Sequence, residues 1–485
     1  MPVVRRIFTV TLVAAALFMG RDIAADKMKD YKREAVDWIE ANKSMFEDAA
    51  IAVHGFAETA LEEYKSSAYL ADLLERNGFR VERGVAGMPT AFVAVYGSGK
   101  PVIGILGEYD ALPGLSQKAA VSEQEVLVEG APGHGCGHNL FGAGSIAAAI
   151  GIKSVIENRG LTGTVKLFGC PAEETVVGKA YMAKEGVFDG LDVCFNWHPG
   201  SGNNVGTGSN NALNNFEITF HGKTAHSAAD PHNGRSALDA VELMDIGVNF
   251  LREHLRETVR IHYIIKHGGM APNIVPESAT VWYFVRDGNR EGVDHAYERV
   301  LKCAEGASTM TDTTYDVRLL TAVYNYLPNL TLSKLIHDNL TELGPVQFTE
   351  SEQQFAKDMQ IYIGKEAKGL RTEVNEYRES GHVSRASTDA SDVSWIVPTN
   401  GELTTVTNPQ GVPGHSWCVV SSSGSTVGLK GMIHAGKVMA ASGVQVLMDK
   451  KIVEKAREEF NEKTEGKPYK SGLPPDLKPP LPEKK

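Results

Sequence analysis

Four places in this chain carry side chains able to hold a metal ion or move a proton, and they are spread over nearly three hundred residues. Cys136 lies in the glycine-rich run Gly133-His134-Gly135-Cys136-Gly137-His138-Asn139, with a histidine two residues away on either side. Adjacent carboxylates stand at Glu173 and Glu174, and single histidines at His198 and His415. Thiolate and imidazole favour Zn(II), and carboxylate tolerates Mn(II). A single open catalytic zinc takes three protein ligands and a water, so five donors fit two ions that share one of them. Water between two such ions is acidic enough to attack a carbonyl. Of the two glutamates, one can bind metal while its neighbour, pointing the other way along an extended chain, takes the proton. Each element alone is ordinary, since glutamate pairs are mostly solvated and lone histidines mostly structural. Only their joint placement carries meaning, and spacing does not choose between His134 and His138.

That placement depends on the surrounding elements. Phe92 to Tyr96, Val102 to Leu106, Val165 to Phe168, Val193 to Trp197 and Leu403 to Val406 read as short strands, the first two joined by Gly97 to Pro101 as a hairpin or tight connection. Helical sequence covers Lys29 to Gly78, Gly144 to Glu157 and Gly178 to Lys184, so strands alternate with helices as in an α/β sheet. Glu173, Glu174, His198 and His415 then all follow strand ends, on the edge where such sheets build ligand sites. Near Asn211 the pattern changes to strands at Phe216 to Phe220, Ala279 to Val285 and Tyr315 to Leu320 with helices at Ser236 to His254 and Gly292 to Thr309. This order predicts a small α+β domain inserted into the first. The expected division is residues 1–25 as signal, 26–210 with 326–450 as catalytic domain, 211–325 as insertion and 451–485 as a solvated tail rich in lysine, glutamate and proline.

At 485 residues the chain exceeds one growing core, consistent with two domains. A net charge of −11 argues against nucleic acid and leaves small molecules as the expected partner. Arg5 and Arg6 precede the apolar run Ile7 to Gly20, followed by Ala24 and Ala25, which predicts an export signal, with Arg-Arg-Ile-Phe resembling the twin-arginine type. A periplasmic or secreted location follows, a cytoplasmic one if that segment is no signal. No later segment reads as a bilayer span, so no stable membrane insertion is expected. Five cysteines are too few and too irregular for a disulfide framework.

The motifs quoted above, with Pro171-Ala-Glu-Glu174, Asn196-Trp-His198, Gly222-Lys-Thr-Ala-His226, Gly269 to Pro276, Gly107 to Pro113, Gly234 to Asp239 and Ala386 to Trp395, resemble as a set the aminoacylase and glutamate-carboxypeptidase family of metallopeptidases, in its amidohydrolase branch. The similarity runs from about Tyr31 to Leu447. It implies an α/β catalytic domain with a central, mostly parallel sheet plus an inserted dimerisation domain, and two Mn(II) or Zn(II) ions per subunit. The implied ligands are Cys136, His138, Glu174, His198 and His415, with Cys136 as bridge and Glu173 as general base. His226 would reach across a dimer, identical or with a related subunit, to polarise the scissile carbonyl, while Asn273 and Arg286 would hold a substrate carboxylate. The implied reaction is hydrolysis of an N-acyl amino acid, typified by an aromatic acyl group on an acidic amino acid. A dipeptidase or auxin-conjugate hydrolase on the same site, or a non-catalytic binding protein on this scaffold, are the alternatives. The wider family has His-x-Asp where this chain has Glu108-Tyr109-Asp110, so a histidine ligand is missing, Cys136 must supply the substitute, and Asp110 is left to orient a ligand.

Overall fold

The computed structural model describes residues 26–482, so the expected signal over residues 1–25 lies outside them. Helices over residues 26–41, Lys43–Phe56 and Tyr64–Arg76 precede a sheet of β1 (Arg80–Arg83), β2 (Phe92–Ser98), β3 (Val102–Glu108), β4 (Gly163–Cys170) and β5 (Val193–Phe195), ordered β1-β2-β4-β3-β5. The pairs β4-β3 and β3-β5 are parallel and β1-β2 and β2-β4 antiparallel. Gly97 to Pro101 is therefore a tight connection and not a hairpin. β4 separates β2 from β3, because its near-continuous apolar run, including Val165, Leu167 and Phe168, is buried on both faces and so belongs at the centre.

The run Val193 to Trp197 is not one strand. Asn400 breaks it, its amide accepting from Asn196 N at 3.0 Å and donating to Asn196 O at 2.9 Å in place of the ladder. A new strand, β6 (Trp197–Gly200), starts there, so His198 lies within a strand where it was expected after one. β7 (Asn204–Val205) follows.

The chain then leaves for the insertion. Strands β8 (Ala212–His221), β9 (Arg260–His267), β10 (Ser278–Asp287) and β11 (Thr314–Val323) form an antiparallel sheet ordered β11-β8-β10-β9. Helices Ala237–Leu251 and Arg290–Thr311 cover one face, their first turns capped by Ser236 and Asn289. Along β10, Ala279, Val281, Tyr283 and Val285 are buried beneath these helices. The alternation puts Trp282, Phe284 and Arg286 on the opposite face. β9, an edge strand, has no counterpart among the strands expected from sequence; its exposed end mixes Ile264 and Ile265 with Lys266 and His267.

The chain returns through the helix Leu330–Leu343 to β12 (Leu403–Val406), parallel to β6 and antiparallel to β7. The catalytic core packs around helix His138–Arg159, most of it buried. By length and hydropathy this helix matches a membrane span, contrary to the expectation that no such segment follows the N-terminus. With 94% of its apolar window buried inside the protein, the core accounts for its composition. Of the expected solvated tail, the described residues 451–482 include a packed helix and buried side chains. Lys450–Lys463 is a helix whose Ile452, Ala456 and Phe460 recur at a spacing of four and pack inward, while Glu459 accepts from Leu330 N at 2.6 Å and Thr331 N at 2.8 Å. Beyond it, Leu473 is buried and the Tyr469 hydroxyl donates to Asp392. A charge-rich composition concealed one apolar stripe.

Candidate metal centre

The parallel pairs bring the carboxyl ends of β3 and β4 to one edge, and β6 and β12 open onto the same cleft. Glu108 is the last residue of β3, Glu173 and Glu174 follow β4, and His415 follows β12. Their donor atoms gather in three overlapping groups: Cys136 with His138 and His198; Cys136 with Glu174 and His415; and Glu108 with His138 and Glu173. Cys136 Sγ lies 3.4 Å from His198 Nε2, and His415 Nε2 lies 3.4 Å from Glu174 Oε2. The thiol shared between the first two groups is where a bridging ligand would stand. His134 is elsewhere: its Nε2 bonds Val53 O at 3.0 Å and it joins none of the groups.

Two buried acids shape the loop that carries the glutamates. Asp110 Oδ1 meets His138 Nδ1 at 2.9 Å, and its Oδ2 accepts from Glu174 N at 2.8 Å. Glu63 Oε1 accepts from Ala172 N at 2.8 Å. Ala172 and Val176 have φ of 57° and 59°, and His415 has 50°. A β-branched residue in this region is a costly outlier; Val176 is one, and with Ala172 it brackets Glu173 and Glu174.

The electrostatics describe a pocket that lacks positive charge. Glu108, Asp110, Cys136, Glu173, Glu174 and Asp389 converge around one buried lysine, Lys179, which reaches Glu108 Oε1 at 2.7 Å and Asp389 Oδ1 at 2.6 Å. Burial, then the Glu108 carboxylate, pushes Glu173 up to about 7. Burial, then the Cys136 thiolate, pushes Glu174 up to about 10. Burial also opposes ionisation of Cys136, but the His198 and His138 imidazoles outweigh it and hold the thiol well below its ordinary value. Buried Glu108 Oε2, His138 Nε2 and Glu174 Oε1 have no hydrogen-bond partner. Carboxylates raised this far and acceptors left bare are what a pair of divalent cations would correct, and the thiolate, imidazole and carboxylate donors suit such ions. The residues fit a dinuclear metal centre.

The cluster opens into a cavity of about 460 Å³ lined also by Phe284, Arg286, Tyr326, His382, Ser387 and Glu402. This volume suits a small molecule. Arg286 arrives from the face of β10 away from its helices, donates from Nη1 to Ser387 Oγ at 3.3 Å, and leaves its buried Nε without a partner. Asn273 and His226 are not in this cavity. They are exposed neighbours in the insertion, where Ser227 N donates to Asn273 O at 3.1 Å. His226 Nδ1 accepts from Ala228 N at 3.2 Å and Ala229 N at 3.1 Å. That leaves its Nε2 to carry a proton outward. Glu108, Lys179, Asp389 and Glu402 were not identified as site residues from sequence. Glu108 and Asp389 lie in motifs that gave them no role, Lys179 and Glu402 in none; burial sets the first three apart and the cavity Glu402, and the nearest signal was Glu108 standing at a strand end two residues before Asp110.

A peptidase dimerisation domain matches residues 209–307, the insertion. Over 480 residues the chain is 39% identical to one of the subunits of the p-aminobenzoyl-glutamate hydrolase of Escherichia coli K12, covering 93% of this chain and 99% of that protein. It is 27% identical over 450 residues to the Xaa-Arg dipeptidase of Mus musculus, covering 90% and 94%. The fold matches that of a dinuclear metal-binding peptidase of the M20 family from Bacillus subtilis, with a TM-score of 0.54, 18% identity and coverage of 84% and 99%. Sequence along nearly the whole chain, the insertion and the fold thus agree, and the protein belongs to the M20 family of metal-dependent peptidases and amidohydrolases, in the branch that includes aminobenzoyl-glutamate hydrolase.

Proposed function

We propose that this chain hydrolyses the amide bond of N-acyl amino acids, with p-aminobenzoyl-glutamate or a similar aromatic acyl-amino acid as substrate. The observation that carries the reading is the gathering of five candidate ligands in one cluster that opens, beside the Glu173 carboxylate and the Arg286 guanidinium, onto one small-molecule cavity. Cys136, His138 and His198 would hold one ion and Cys136, Glu174 and His415 the other, Zn(II) or Mn(II) in each case. Bound there, the pair supplies Lewis acidity toward the carbonyl and lowers the pKa of water. Glu173, within the cluster but outside both ligand groups, takes a proton from the attacking water and returns it to the leaving nitrogen. Arg286 holds the carboxylate of the amino acid, as its fork-shaped guanidinium can do through two hydrogen bonds.

His226 and Asn273 complete the site from a second subunit, identical or related. In support, the insertion matches a dimerisation domain, and edge strand β9 beside helix Ala237–Leu251 exposes Ile264, Ile246 and Phe250, the last 73% exposed. Residues 1–25 direct export on this reading. A dipeptidase on the same site gains from Glu402, a carboxylate in the cavity able to accept from an ammonium group. The deciding experiment is a hydrolysis screen of N-acyl amino acids and dipeptides with Zn(II) or Mn(II), read by release of free amino acid. Chelation should abolish turnover and added metal restore it; an active metal-free enzyme would overturn the proposal.

A further inference from the structure

Glu108 occupies the place where the wider family carries histidine, and its side chain has two unlike ends. Oε1 accepts from Lys179 Nζ at 2.7 Å, and Lys179, itself without solvent exposure, is held from behind by Asp389 Oδ1 at 2.6 Å. Asp389 Oδ2 in turn accepts from Lys179 N at 2.7 Å. This chain of contacts leaves the carboxylate little freedom. Oε2 is buried and has no hydrogen-bond partner; neither has His138 Nε2, which lies 3.2 Å away. His138 is positioned through its other nitrogen by Asp110, so Nε2 is its free end.

At this separation the two atoms satisfy one another only through a proton on Nε2, the place a bound cation would take. Two ligands of one ion, at bond lengths of about 2.0–2.2 Å, stand about 3–3.5 Å apart at tetrahedral to octahedral angles. The Glu108–His138 separation falls in that range; His138 is the donor that the Glu108 group, with Glu173, shares with the group of Cys136 and His198. We propose that Glu108 is a sixth protein ligand, binding through Oε2 the ion held by Cys136, His138 and His198, with Lys179 and Asp389 as positioning residues that fix its carboxylate. On this proposal the strand-end glutamate joins Cys136, the substitute expected from the resemblance, in replacing the family histidine, and Lys179 offsets the added negative charge.

This inference rests on the metal-centre reading above, and metal binding alone tests it, without substrate. Wild type, Glu108→Ala, Glu108→Gln, Lys179→Met and His198→Ala are stripped, titrated with Co(II) and Zn(II), and followed by bound metal per chain and by the Co(II) absorption spectrum, with circular dichroism to confirm folding. Wild type should bind two equivalents. Glu108→Ala should weaken one of them by more than the roughly 10–100-fold typical of a supporting residue, at the same site that His198→Ala loses, and change the Co(II) spectrum. Lys179→Met should weaken that site about tenfold. Glu108→Ala with both affinities and the spectrum unchanged overturns the proposal; if the alanine variant does not fold, the same result for near-isosteric Glu108→Gln overturns it. A wild type that binds no metal would instead refute the metal centre itself.

Discussion

Asp110→Asn isolates how this site positions its ligands. Both groups facing the Asp110 carboxylate are donors when the site is ready for metal: the Nδ1–H of His138 at 2.9 Å and the backbone N–H of Glu174 at 2.8 Å. Asparagine has the same shape but one acceptor oxygen. If that oxygen serves Glu174, the amide NH₂ faces His138 and favours the tautomer protonated at Nε2, which cannot bind metal; if it serves His138, Glu174 N is left buried and unpaired. The first outcome should weaken the His138 site by about 10–100-fold, or about 1.4–2.7 kcal/mol. The second should cost about 1–3 kcal/mol of stability. Burial favours protonation of Asp110, but the His138 imidazole and its hydrogen bond outweigh it and hold the carboxyl below its ordinary value. A depressed carboxylate contributes stability that is present above its unfolded pKa of about 3.9 and is lost as pH falls through the lower folded value. The difference between wild type and variant, from denaturant melts of metal-free protein, should therefore be full near pH 7 and shrink below about pH 4. Metal affinity is read by chelator competition. An Asn variant with wild-type metal affinity and wild-type stability at pH 7 would refute this account.

Glu173→Gln should keep both metals and lower turnover by about 10²–10⁴-fold; loss of metal instead would mean that Glu173 and Glu174 have exchanged roles. Inactive His226→Ala and inactive Glu173→Ala chains, once subunit exchange is verified, should recover activity on mixing, because each hybrid dimer holds one site with both residues intact; no recovery counts against a shared site. Phe460→Ala should destabilise the protein by about 3 kcal/mol in a denaturant melt, whereas a solvated tail would give a change near zero.

The alternation of strands with helices, the change of pattern near Asn211 and the segments bearing Cys136, Glu173, Glu174, His198 and His415 were readable along the chain, because hydrophobic period and turn residues are local signals. Sheet order was not. β4 separates β2 from β3 through pairings between segments about seventy residues apart, which no local pattern records. The break at Asn196 was hidden too, since Asn400 makes it from about two hundred residues away.

The site divides in the same way. Residue types alone established a thiolate, imidazoles and carboxylates able to hold two ions, since ligand preference belongs to the side chain. Spacing could not separate His134 from His138, two residues either side of Cys136. Three-dimensional packing did, turning one ring toward Val53 and the other toward Asp110 and the donor cluster. Packing also set Arg286 in the cavity and left His226 and Asn273 outside it. Glu108 and Lys179 take their meaning from burial. A charged residue in a sequence is assumed to face water, and only a structure can show that one is held, with an atom to spare, against a candidate metal-ligand histidine.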